Sequence, residues 1–213
     1  MLLERLRYLV VEGPIGAGKT SLARRLAEHL NATSLLEEPD ANPFLERFYR
    51  DPRRHALATQ LFFLFQRAQQ VADLKQIDMF SRATVADFLF DKDALFARLN
   101  LSDDELALYQ QVYRHLMPQA ATPELVIYLQ ASTAQLVARV RRRGNDYEHA
   151  ISEAYLVKIA DAYRRFFYEF NAAPLLIVNS DHLNFVDQLG DFDLLLHRIQ
   201  KMRGPREFFS QGE

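Results

Sequence analysis

Eight consecutive residues, Gly13-Pro14-Ile15-Gly16-Ala17-Gly18-Lys19-Thr20, carry the pattern G-x-x-x-x-G-K-[ST]. Glycines at this spacing let the backbone turn until successive N–H groups point inward at phosphate oxygens, and a helix opening at Lys19 adds its dipole. Lys19 is expected to neutralise the β and γ phosphates of a nucleoside triphosphate, Thr20 to ligate Mg²⁺, and Ser21 to continue the ATP-binding segment from Gly13. Two further groups have the right chemistry. An apolar run ends in Leu36-Glu37-Glu38-Pro39, and another in Val85-Ala86-Asp87-Phe88. A carboxylate at the first of these ends can accept a hydroxyl proton. At the second, Asp87 would hold Mg²⁺ or its water. Arg139, Arg141, Arg142 and Arg143 lie within five residues and precede Gly144. A cluster of that kind suits the charge that spreads over the γ-phosphate oxygens in the transition state. Together these residues imply phosphoryl transfer from a bound triphosphate, with a kinase, an ATPase motor and a switch all open.

Such groups must be held by elements that converge on one sheet edge. Five short apolar runs read as strands: Arg7 to Glu12, Ser34 to Glu38, Ala83 to Phe88, Glu124 to Gln130 and Leu175 to Asn179. Their continuous apolarity implies burial on both faces, hence a parallel sheet. Helical spacing fills the gaps, with Leu22, Leu26 and Leu30 on one face and a long helix from Pro52 to Lys75. Pro123 and Pro174 sit at strand entrances, where a missing N–H costs little. The expectation is an α/β fold of P-loop NTPase type, a doubly wound five-stranded parallel sheet with helices and a short arginine-rich lid. One domain is expected over residues 1–202, with a loose tail from Arg203 to Glu213. In such a fold ligands bind at the carboxyl edge of the sheet, which places the glutamates beside the phosphate loop.

Composition narrows the classes. The chain has 213 residues, 49% hydrophobic, with seven Gly, no Trp and no Cys, so disulfide scaffolds, cysteine-ligated zinc and thiol catalysis are excluded. A formal charge of −2 argues against binding a nucleic-acid polymer. Glu4, Arg5 and Arg7 interrupt the first apolar stretch, so neither a signal-peptide core nor a membrane span is read there, and a cytoplasmic location with no membrane partner is expected. His29, His55, His115, His149, His182 and His197 show no metal-ligand spacing, so no zinc site is expected. Asn179-Ser180-Asp181-His182 follows the last apolar run and is either an adenine-side loop or a plain turn.

From the Glu38-Pro39 pair onward the chain resembles the deoxynucleoside kinases. That resemblance implies that Glu38 is the base activating a nucleoside 5′-hydroxyl; Glu37 by itself reads as a solvated strand-end charge. Tyr49, Gln60 and Arg67 match the family's sugar-contacting Tyr and its base-contacting Gln and Arg. Gln60 and Arg67 are two helical turns apart and share a face. Asp93 matches the acid that positions this Arg. Arg139 and Arg143 match catalytic lid arginines and Glu148 the acid that binds the sugar 3′-hydroxyl, while Arg141 and Arg142 read as solvated. There are two departures. Phe88 replaces the Arg that usually follows the Asp87 position, with Arg82 too far along the strand to substitute, and Asn145 replaces a further lid Arg. The resemblance implies ATP and Mg²⁺ as cofactors, a deoxynucleoside acceptor with a purine or cytosine base, and a homodimer. Two other readings remain open: a kinase for another small hydroxyl compound on the same scaffold, and a nucleotide-binding regulatory protein with weak catalysis.

Overall fold

The computed structural model describes residues 6–76, 83–116, 122–145, 148, 150–185 and 188–210. Arg82, His149 and the last three residues of the tail lie outside them. Strand β1 (Tyr8–Glu12) leads through the phosphate loop into α1 (Lys19–His29), then β2 (Thr33–Leu35). Helices α2 (Leu45–Arg50) and α3 (Pro52–Gln76) precede β3 (Thr84–Ala86), and α4 (Asp93–Asn100) and α5 (Asp103–Leu116) follow it. Then come β4 (Leu125–Gln130), α6 (Thr133–Arg143), α7 (Glu153–Glu169), β5 (Leu175–Asn179), α8 (Leu189–Lys201) and β6 (Arg206–Phe209).

The six strands pair in parallel in the order β2-β3-β1-β4-β5-β6. Strand alternation divides the core into two layers. Leu9, Val11, Ile127 and Val178 pack on one face against Leu22 and Leu26 of α1 and Leu195 and Ile199 of α8. Val10, Val126 and Tyr128 face the other way, against Ile159, Tyr163 and Phe167 of α7. Burial on both faces is why these strands read as unbroken apolar runs. Among the described residues no helix is long and apolar enough to cross a membrane.

Two expectations need correction. The sheet has six strands rather than five, because Arg206–Phe209 of the expected loose tail pairs with β5, where Leu175 N–H donates to Pro205 O at 2.9 Å. Arg206 ties that strand down by donating to the Phe167 and Phe170 carbonyls. Strand β2 also stops at Leu35 instead of running to Glu38. The Asp87 side chain ends the ladder, accepting from Glu37 N–H at 2.7 Å while Asp87 N–H donates to Leu35 O at 3.1 Å.

Candidate active site

The phosphate loop lies where β1 meets α1, and two of its glycines are required by shape. A Cβ on Gly13 would come within 2.6 Å of the Leu129 carbonyl. Gly16 has φ 85° and a Cβ there would meet the Leu136 carbonyl of α6 at 2.9 Å, so the loop can pack closely on the lid helix only without side chains. Lys19 is half-buried, with Nζ donating to Pro14 O at 3.3 Å. Burial, and after it the nearby Lys92 ammonium, push the Lys19 pKa down, against Glu12, Glu37 and Asp87.

Thr20 Oγ1 donates to Asp87 Oδ2 at 2.5 Å, which brings the two expected metal ligands together. Burial and the Glu37 charge raise the Asp87 pKa. A hydroxyl and a carboxylate oxygen at the end of a phosphate loop suit Mg²⁺, which uses one or two protein oxygens and completes its shell with phosphate and water. Among the described residues no group of three or more His, Cys, Asp and Glu forms a metal cage.

Beside the loop, a cleft opens between α2, α3, α4 and α7. Lys19, Glu37, Tyr49, Gln60, Arg67 and Glu148 all line it. Gln60 and Arg67 of α3 are buried, 4% and 5% exposed, on the face their spacing implied. Gln60 Nε2 is buried without a hydrogen-bond partner. Buried amides are nearly always satisfied, so this orphan donor beside the cleft calls for an explanation. Arg67 Nη1 pairs with Asp93, whose other oxygen accepts from the Tyr109 hydroxyl. The expected acid thus does hold this arginine. Tyr49 stacks obliquely on Phe48, ring centroids 5.4 Å apart, at the cleft wall.

Of the adjacent pair Glu37 and Glu38, the one in the cleft is Glu37, whereas Glu38 was expected. Its Oε1 accepts from Arg67 Nε at 3.0 Å, Arg67 Nη2 at 2.5 Å and Lys92 Nζ at 2.9 Å. Burial alone would raise the Glu37 pKa, but Lys92, Arg67 and Lys19 reverse this and hold the carboxyl well below the usual carboxylate range. The Glu38 side chain is exposed and does not line the cleft, and its backbone carbonyl accepts from Gln66 Nε2 at 3.3 Å. The pair lies past the end of β2 at Leu35, where the Asp87 side chain accepts from Glu37 N–H, so strand alternation does not set which glutamate faces the cleft.

A second cleft runs along the outer side of the loop, lined by Gly16, Gly18, Ser21, Arg139, Ser180 and Asp181. Arg139 is fixed there, donating to Ser180 O at 2.6 Å and Ala17 O at 3.5 Å. Burial lowers its pKa. The Asn179–His182 segment therefore does wall this cleft through Ser180, Asp181 and His182, and exposed Arg142 also lines it. Arg143 lines both clefts. Its guanidinium is bidentate on Glu148, with Nε donating to Oε2 at 2.8 Å. Gly144 (φ 68°) ends α6 directly after it.

Phe88 turns away from both clefts into an apolar cluster with Leu64, Val71 and Tyr109. Two buried side chains escaped the sequence reading: Glu12, fully buried at the end of β1, and Lys92, 2% exposed before α4. Glu12 looked like an ordinary strand end. A Lys between Asp91 and Asp93 carries no local sign of burial.

The deoxynucleoside kinase family profile matches residues 9–202. The deoxyguanosine kinase of Bacillus subtilis (strain 168) is 29% identical over 202 residues, 92% of this chain and 97% of that protein. The deoxyadenosine kinase of Dictyostelium discoideum is 32% identical over 178 residues, 81% of this chain and 71% of that protein. The solved structure of the M. mycoides deoxyadenosine kinase with bound dATP has the same fold, with TM-score 0.78, 21% identity, and coverage of 91% of this chain and 100% of that one. This chain belongs to the deoxynucleoside kinase family and is a phosphotransferase.

Proposed function

We propose that the protein transfers the γ-phosphoryl group of ATP to the 5′-hydroxyl of a purine or cytosine deoxynucleoside. The observation that carries the acceptor is the orphan Nε2 of Gln60, buried in the cleft two helical turns from the Arg67–Asp93 pair. A nucleobase edge offers the acceptor that this amide lacks, and its pattern of donors and acceptors suits an amide beside a guanidinium fork. The deoxyguanosine and deoxyadenosine kinase names of relatives support a purine, and the M. mycoides kinase, solved with dATP and with dCTP, is compatible with a purine or cytosine.

In this reading the loop from Gly13 to Ser21 holds the triphosphate, and Tyr49 and Glu148 hold the sugar. The bond from O5′ to the γ-phosphorus forms as the bond from that phosphorus to the β–γ bridging oxygen breaks. The 5′-hydroxyl proton passes to Glu37, and ADP leaves. Glu37 and not Glu38 takes this role because only Glu37 lines the cleft. Arg143, reaching both clefts, stabilises the charge on the transferred group, and Arg139 fixes the lid helix to the donor side. Thr20 and Asp87 would hold Mg²⁺, which when bound neutralises phosphate charge.

The test is a panel of the four deoxynucleosides with ATP and Mg²⁺, read as 5′-monophosphate. Deoxyadenosine, deoxyguanosine or deoxycytidine is expected to be phosphorylated faster than thymidine. Thymidine as the preferred substrate rejects the base assignment, no product from any of the four rejects the activity, and tight binding without turnover marks a regulatory protein. A second expected result concerns Gln60→Leu, which raises the nucleoside KM by roughly 10- to 100-fold with a smaller change in kcat, because a base edge is left unpaired in a dry site. An unchanged KM removes Gln60 from base recognition.

A further inference from the structure

We propose that Lys92 is the residue that positions the acceptor carboxylate, delivering from the start of α4 a positive charge that the end of β3 does not provide. The proposal rests on the kinase reading above and assigns a new part to the same site. At the end of β3 the residue after Asp87 is Phe88, fully buried among Leu64, Val71 and Tyr109, so that strand end brings no cation to the cleft. Lys92 does. Its side chain is 3% exposed, lines the cleft, and donates from Nζ to Glu37 Oε1 at 2.9 Å, with Glu12 Oε2 at 3.5 Å on its other side.

The cradle beneath this lysine is built. Glu12 Oε2 accepts from Leu89 N–H at 2.8 Å, and Glu12 Oε1 accepts from Gly13 N–H at 2.8 Å and from the Tyr163 hydroxyl at 3.0 Å. Lys92 N–H closes the intervening turn on Leu89 O at 3.1 Å. One buried carboxylate therefore binds the phosphate loop, the backbone before Lys92 and the Lys92 ammonium at once. An ammonium this far from water is retained only where its partners repay its desolvation. Here those partners are Glu12 below and Glu37 in the cleft.

Every contact recorded for the Glu37 carboxylate among the described residues falls on Oε1: two from Arg67 and one from Lys92. None falls on Oε2. Cations from α3 and from the residue before α4 thus fix one oxygen and leave the other to accept a hydroxyl. Lys92 acts through Glu37, so it is a positioning residue. Its removal should slow chemistry while leaving substrate binding nearly intact.

The experiment is steady-state kinetics on Lys92→Met, Glu37→Gln and the double variant, with the best deoxynucleoside of the panel. Lys92→Met is expected to lower kcat roughly 10- to 100-fold, comparable with losing one preorganised donor, with the KM for ATP changed by less than about threefold. In the Glu37→Gln background the same substitution should change kcat by less than about threefold, since its target charge is already gone. Full kcat in Lys92→Met, or an equal loss in both backgrounds, overturns the proposal, as does full kcat in Glu37→Gln. If Lys92→Met does not fold, the double variant, which removes a charge pair, decides by comparison with Glu37→Gln. Absence of product with the unsubstituted protein fails the kinase reading. An active protein indifferent to Lys92→Met fails only this inference.

Discussion

Glu37→Gln lowers kcat by roughly 10²- to 10⁴-fold, the usual contribution of a positioned acid–base group, whereas Glu38→Gln stays within a few-fold of the parent. Glutamine keeps the size of the side chain and one carbonyl oxygen for Arg67 and Lys92 but cannot take the hydroxyl proton. The buried cluster of Lys92, Arg67 and Lys19 holds Glu37 ionised, and a carboxylate so stabilised is a weak base. It is adequate here. Phosphoryl transfer runs through a loose transition state in which little proton transfer is needed early, so orienting the hydroxyl matters more than basicity. The measurement is kcat and KM for both variants with one deoxynucleoside. A large loss in Glu38→Gln beside an active Glu37→Gln would return the role to Glu38.

Arg143→Ala lowers kcat by roughly 10³-fold or more, within the range of arginines that stabilise a transferred phosphoryl group, while the KM for ATP changes far less. The geometry supports that division. Arg143 touches both clefts but is half exposed, so it is expected to add little to ground-state binding of a triphosphate held by the phosphate loop. Its guanidinium is aimed by Glu148, and Arg143→Lys recovers little because a point charge cannot make the bidentate bond. Single-turnover kinetics with saturating ATP would check this, and an unchanged rate in Arg143→Ala removes the residue from catalysis.

Contiguous and helical features were legible in the sequence. The phosphate loop is eight adjacent residues whose glycines answer to local backbone shape, so its function is written in one stretch. Gln60 and Arg67 share a face because an α-helix repeats every 3.6 residues, whatever surrounds it. Strands β1, β3, β4 and β5 showed themselves by buried, mostly apolar runs, while β2, Thr33-Ser34-Leu35, is a short and largely exposed edge that overlaps its expected run only at Ser34 and Leu35. The sixth did not: β6 is polar and partly exposed, with Phe208 55% exposed, and it is a strand only because β5 offers it an unpaired edge.

The choice between Glu37 and Glu38 belonged to the tertiary structure. Both lie past the end of β2, where strand alternation does not set which one enters the cleft, and the Asp87 side chain that accepts from Glu37 N–H reaches it across 50 residues. Lys92 was hidden for the same reason, since a lysine between two aspartates carries no local sign of burial until Glu12, from 80 residues earlier, is packed beneath it. Sequence by itself determined the P-loop scaffold, the phosphate loop and the helix face that lines the acceptor cleft, because local geometry and periodicity dictate them. Only the tertiary structure decided which carboxylate meets the acceptor and which cation holds it, because buried charges choose partners by proximity in space, and that proximity is set by the packing of β1, β3, α3 and α4 together.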